Sequence, residues 1–72
     1  MTKCVVKCRK MTKEGVILKG GYLALADNGT YSFEEFIEDA HVFPTITEAK
    51  DALYMITCDD SYNWYTELID LD

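Results

Sequence analysis

Four carboxylates, the only histidine and the only proline of the chain fall within Ser32-Phe33-Glu34-Glu35-Phe36-Ile37-Glu38-Asp39-Ala40-His41-Val42-Phe43-Pro44-Thr45. A histidine beside acids can begin a metal site or form an acid/base pair. A metal needs three or four convergent ligands, however, and Glu38, Asp39 and His41 supply two flexible carboxylates and one imidazole. The three cysteines stand far off in sequence and show no Cys-x-x-Cys spacing. Neither a metal nor a cofactor is expected. The plainer role for His41 is at the end of a helix, where an imidazole meets free carbonyls and the helix dipole.

Other chemistries fail on particular residues. Asp59-x-Ser61-x-Asn63 with Asp70 beyond mimics a calcium loop, but Trp64 stands where that loop needs a glycine for its sharp bend. Cys4 and Cys8 read as inward strand residues, and the one histidine lies in acidic surroundings, so no activated nucleophile is evident. Gly20-Gly21 lacks the following Lys-Ser/Thr of a phosphate loop. These residue types point away from an enzyme and towards binding.

The elements that carry them follow from spacing. In Lys3-Cys4-Val5-Val6-Lys7-Cys8-Arg9 the residues Cys4, Val6 and Cys8 share one face and Lys3, Lys7 and Arg9 the other, the pattern of a half-buried strand. Cys4 and Cys8 would lie ~13 Å apart along it, too far for a disulfide. Met11 to Gly15 reads as a polar connection. Val16-Ile17-Leu18 and Tyr22-Leu23-Ala24-Leu25 are two short strands or one strand with a bulge at the glycines. Asp27-Asn28-Gly29 predicts a tight hairpin from Tyr22 to Tyr31.

Phe33, Phe36, Ile37 and Ala40 recur at helical spacing, and Ser32 with Glu35 forms a capping box, so a helix of about two turns is expected over 33–40. Its outer face would carry Glu34, Glu35, Glu38 and Asp39. Pro44 stops it, and Thr45 with Glu48 forms a second capping box before Ala49, Ala52, Leu53 and Ile56. That second helix should end near Thr57. Trp64-Tyr65-Thr66-Glu67-Leu68-Ile69-Asp70-Leu71 suits a closing strand.

Seventy-two residues make one domain, residues 1–72, and 49% hydrophobic residues are too many for a disordered acidic tail. The fold class expected is α+β: a small antiparallel sheet of three to four strands with one or two short helices packed on one face. No apolar run is long enough for a membrane span and no leader is readable, which places the protein in the cytoplasm.

Tyr31-Ser32-Phe33 and the run from Glu38 to Ala49 resemble a pattern of small bacteriophage-encoded proteins. Those proteins have an N-terminal strand, a Tyr-containing hairpin, an Ala-x-x-Phe element (here Ala40 to Phe43), a helix start as at Thr45-Ile46-Thr47-Glu48-Ala49, and a hydrophobic C-terminal strand. The resemblance covers most of the chain. It implies a viral origin, an α+β fold and the host cytoplasm. Many such proteins have no assigned activity and others bind and inhibit host factors, so it assigns no functional residue. The acidity of residues 34–39 departs from the pattern.

Charge is distributed unevenly. Residues 1–19 hold six basic residues and one acid, whereas residues 20–72 hold one lysine and twelve acids, for a net charge of -6. If the first and last strands are neighbours, Lys3, Lys7 and Arg9 can face Glu67, Asp70 and Asp72. On the expected first helix, Glu34/Glu38 and Glu35/Asp39 repel at i, i+4 with no basic residue to offset them. Such a face either keeps a small hydrophobic protein soluble or imitates a nucleic-acid backbone and occupies the basic surface of a host nucleic-acid-binding protein. The expected contact residues are Glu34, Glu35, Glu38 and Asp39, with Asp59, Asp60, Trp64 and Tyr65 nearer the C-terminus. One alternative is nucleic-acid binding by Lys3, Lys7, Arg9, Lys10, Lys13 and Lys19 with Tyr22 or Tyr31 as a stacking residue, which the net charge opposes. Another is a structural homodimer or higher homo-oligomer built on Tyr62, Trp64 and Tyr65.

Overall fold

The alternation read in the first strand is realised in β1, Cys4–Met11, where Cys4, Val6 and Cys8 are buried. The computed structural model describes residues 3–58 and 60–71. Val5 is buried too, although it points to the opposite face, where it stands across from Ile69. That face therefore has an apolar corner that alternation alone does not announce.

β2, Ile17–Leu25, is one strand rather than two. It pairs antiparallel with β1, and its ladder places Lys10 opposite Lys19 but Met11 opposite Ile17, so the extra residue of the bulge is Leu18 and not a glycine. The Asn28-Gly29 hairpin forms as expected and leads into β3, Tyr31–Glu34. Gly29 adopts φ +86°, which lets its amide reach Ala26 O while the Ala26 amide closes on Thr30 O, both at 2.9 Å. Asn28 Oδ1 accepts from the Thr30 amide at 3.1 Å. The connection from Thr12 to Val16 repeats these two backbone bonds, so the polar link between β1 and β2 is a tight hairpin as well.

Residues 33–40 do not form the expected helix. Tyr31–Glu34 are strand, and only Ile37–Asp39 make a single 3-10 turn with no side-chain cap. The Ser32 hydroxyl donates to Glu34 Oε2 at 2.9 Å instead of capping a helix. Register explains the difference: once the hairpin closes, Phe33 falls opposite Leu23 and packs against the core, while Glu34 falls opposite Tyr22. The sheet offers these residues ladder bonds and a half-buried place for the Phe33 ring against the core, whereas a helix here would stack like charges. The i, i+4 repulsion expected between these acids goes with the helix. Gly21 marks where β3 leaves β2: its φ is +143°, and a Cβ placed there would lie 2.5 Å from Glu34 O.

The chain then crosses the end of the sheet. The His41 amide donates to Leu23 O at 3.0 Å, and Cys4 and Phe43 exchange amide bonds at 2.8 and 3.1 Å, which seats the Phe43 ring in the core. The second expected helix is present as α1, Ile46–Ile56. Thr45 Oγ1 accepts from the Glu48 amide at 3.2 Å, and Thr57 caps the far end with its hydroxyl on Leu53 O at 2.6 Å. Ala49 and Ala52 are the helix residues buried against the sheet, and their small size lets the helix backbone approach it.

β4, Asn63–Asp70, lies antiparallel to β1 along its whole length, from Cys4 opposite Asp70 to Met11 opposite Asn63. The four-stranded antiparallel sheet has the order β3-β2-β1-β4, with α1 packed on one face. The α+β class and the pairing of first and last strands are thus as expected.

Candidate interaction surfaces

The expected ion pairs between β1 and β4 are replaced in part by cation–aromatic contacts. Lys7 does stand opposite Glu67, but its ammonium lies 5.7 Å from the centre of the Tyr22 ring. Arg9 stands opposite Tyr65, with its guanidinium 5.4 Å from that ring, and the Tyr65 hydroxyl donates to Glu67 at 3.2 Å. Asp72, the third expected acid, lies outside the described residues. Alternation places Lys7, Arg9, Tyr22, Tyr65 and Glu34 together on the face turned away from α1. Lys10, on the other face, stands opposite Trp64 and holds its ammonium 4.0 Å from the Tyr62 ring.

The acidic residues occupy the opposite margin of the sheet. Glu34 is half-buried at the end of β3, whereas Glu35, Glu38 and Asp39 are exposed on the excursion that follows. Phe36 and Ile37 emerge among them, 59% and 40% exposed. A helix would have turned both towards the core; the 3-10 turn leaves them out. Asp60 is exposed in the turn before β4, and Asp59 lies outside the described residues. Trp64 is half-buried on the α1 face of β4, and Tyr65 is exposed on the other. The expected contact residues therefore form separate surfaces: an acidic one beyond β3, and an aromatic strand at the far edge whose two leading rings point apart.

His41 follows the 3-10 turn but does not cap an α-helix. Its ring packs edge-on against Phe43 with centroids 4.6 Å apart, and its amide serves Leu23. Together with Tyr31, Phe43 and Met55 it lines a groove of about 260 Å³ between α1 and the β2–β3 hairpin. The carboxylates at that groove come from Glu48 and Asp51, and not from Glu38 and Asp39 beside the histidine in sequence. Among the described residues no three His, Cys, Asp or Glu side chains are grouped to hold a metal ion.

Burial pushes the Cys8 thiol up to about 11, and burial together with the Asp70 carboxylate raises Cys4. A thiolate nucleophile needs the opposite shift. Cys58 is exposed, just beyond α1, and its thiol donates to Met55 O at 3.3 Å.

In comparison with known proteins the chain matches no family model, no curated protein and no solved structure. Among the described residues no helix is long and apolar enough to cross a membrane.

Sequence periodicity placed Phe36 and Ile37 in the core, and so missed the apolar part of this acidic surface. The available signal was the run of like charges at i, i+4 without a single cation, which argues against a helix.

Proposed function

We propose that this protein works by binding, and that it inhibits or modulates a protein with a basic surface through the excursion from Glu34 to Asp39. The observation that carries this reading is the exposure of Phe36 and Ile37 beside three exposed carboxylates, Glu35, Glu38 and Asp39. Apolar side chains in such a place are anchors: burying each in a partner contributes about 1.5–3 kcal/mol. The carboxylates supply steering and selectivity for a cationic groove. A host nucleic-acid-binding factor has such a groove, and the resemblance to phage-encoded proteins favours a host target in the cytoplasm. The mimicry lies in charge density on a short excursion rather than in a regular helical array.

Affinity capture from bacterial lysate tests this, with Phe36→Ser/Ile37→Ser and Glu35→Gln/Glu38→Gln/Asp39→Asn as matched baits. A partner retained by the wild type and lost by both variants, displaced by DNA or by added salt, is the expected result. A partner held equally by all three baits sinks the proposal.

One observation favours a second reading. Lys7 over Tyr22 and Arg9 over Tyr65 combine cations with flat rings on an open sheet face, as single-stranded nucleic acid requires. The net charge of -6 and the nearby Glu34 and Glu67 oppose it. Fluorescence anisotropy of a labelled oligonucleotide against wild type and Lys7→Glu/Arg9→Glu separates the two.

A further inference from the structure

β4 is an end strand of eight residues, NWYTELID, and among the described residues only β1 pairs with it. The bond from the Leu71 amide to Lys3 O, at 2.9 Å, shows which backbone groups serve that ladder. Residues 71, 69, 67 and 65 turn their amides and carbonyls to β1, and Thr66 and Leu68 turn theirs outward. Edge strands are usually blunted by proline, lysine, a bulge or brevity. β3, at the other edge, is only four residues long and gives way to the 3-10 turn. β4 contains no proline, glycine or lysine, and its register with β1 is unbroken.

We infer that β4 is a homodimer edge, where two copies pair antiparallel with Thr66 on the two-fold axis and continue the sheet to twice its width. Outward groups must meet outward groups, so only two registers keep nearly the whole strand paired. One sets Glu67 against Glu67 of the second copy, a direct like-charge contact that destabilises the pair. The other sets Thr66 against Thr66, Tyr65 against Glu67 and Leu68 against Trp64. Thr–Thr and aromatic–aliphatic neighbours stabilise a ladder, and Tyr65 already donates to Glu67 within one chain. Charge therefore selects the Thr66 register.

The arrangement leaves both α1 helices on one face and joins the two open faces, with Lys7, Arg9, Tyr22 and Tyr65, on the other. The excursions beyond β3 remain at the outer ends. Each copy carries -6, so added salt strengthens this association, the reverse of its effect on an acidic surface meeting a basic partner. Failure of one proposal thus leaves the other standing.

Sedimentation equilibrium of the full chain over a concentration series is the test. The wild type should reach twice the 8.2 kDa chain mass. Thr66→Pro removes an amide that β1 does not use, and Thr66→Lys sets two cations on the axis, so both should raise the dissociation constant by at least about tenfold while keeping the wild-type far-UV spectrum. Cys8 stands opposite Thr66 within the chain, so the cross-link is made in a Cys8→Ala/Cys58→Ser background with a copper–phenanthroline oxidant. Thr66→Cys should then form a covalent dimer, because Cα atoms of a hydrogen-bonded pair lie about 5.5 Å apart, and Glu67→Cys should not. A wild type that keeps the single-chain mass throughout overturns the inference. So do dimers that persist in both Thr66 variants, or cross-linking through Glu67→Cys in preference to Thr66→Cys.

Discussion

Two stretches of this chain carry the same helical signature and meet different fates. Residues 32–40 and 45–56 each offer a hydroxyl N-cap, an acid three residues on and apolar residues at i, i+3 and i+4. The second becomes α1; the first becomes the end of a strand, a bend and one 3-10 turn. Two causes act together. Ala49 and Ala52 present a small flat face that a sheet can receive, whereas Phe33, Phe36 and Ile37 are bulky. The Asn28-Gly29 turn also delivers Tyr31–Glu34 to β2, where Phe33 stands opposite Leu23 and packs, half-buried, against the core. A helical period is thus a necessary signal whose outcome depends on what the neighbouring turn has already committed.

The alanines should show the contrast most strongly. Ala49, fully buried, when changed to Glu forces a carboxylate against the sheet and should remove several kcal/mol, enough to abolish a cooperative transition in a domain this small. Ala40→Glu, at the alanine of the other stretch, should cost under about 1 kcal/mol by urea titration, since Ala40 is only partly buried. Equal losses would mean that the first stretch packs as a helix after all.

The phenylalanines come next. Phe33→Ala should cost about 2–4 kcal/mol because the ring packs on the core, and Phe36→Ala should cost less than about 0.5 kcal/mol at 59% exposure. A helix over 33–40 would put both on one buried face and make the two losses similar. Thermal melts followed by circular dichroism distinguish the cases.

Gly21→Ala tests the tie between β2 and β3. The added methyl meets Glu34 O at 2.5 Å in a backbone conformation that L side chains rarely adopt, so a loss of about 1–3 kcal/mol is expected. Amide exchange should then quicken first at Tyr22 and Ala24, whose partners are Glu34 and Ser32. Exchange that changes only in α1 would contradict this.

The caps give the smallest contrast. Thr45→Ala removes an oxygen that accepts the Glu48 amide and should cost about 1 kcal/mol, whereas Ser32→Ala removes only an exposed bond to Glu34 and should cost a few tenths. Comparable effects in denaturant titrations would show that Ser32 caps something.

The legible part of the structure was written in short-range patterns. Alternation gave Cys4, Val6 and Cys8 of β1 their buried face, the Asp27-Asn28-Gly29 turn gave the hairpin, and Thr45 with Glu48 gave α1 its start and Thr57 its approximate end. The polar link at Thr12–Val16 was a hairpin of the same kind, but without Asn-Gly its signal was weaker. Trp64 and Tyr65 are adjacent in a strand and so necessarily point apart, a separation into two surfaces that is already legible in the sequence. Glu35, Glu38 and Asp39 were legible as exposed acids, but their setting was not, because the exposure of Phe36 and Ile37 depends on β3 having taken Phe33.

By itself, then, the sequence determined the elements whose stabilising contacts lie within a few residues of one another: a cap and its third neighbour, a turn and its flanking strands, an apolar face of period two. The tertiary structure alone decided the fate of residues 33–40, the passage of His41 and Phe43 across the end of the sheet, and the placing of the acidic excursion and the aromatic strand at opposite edges. Those outcomes turn on which long-range backbone bonds the folded chain makes and which side chains they leave without room. Local propensities differ by tenths of a kcal/mol, and a strand ladder with the Phe33 ring packed against the core outweighs them.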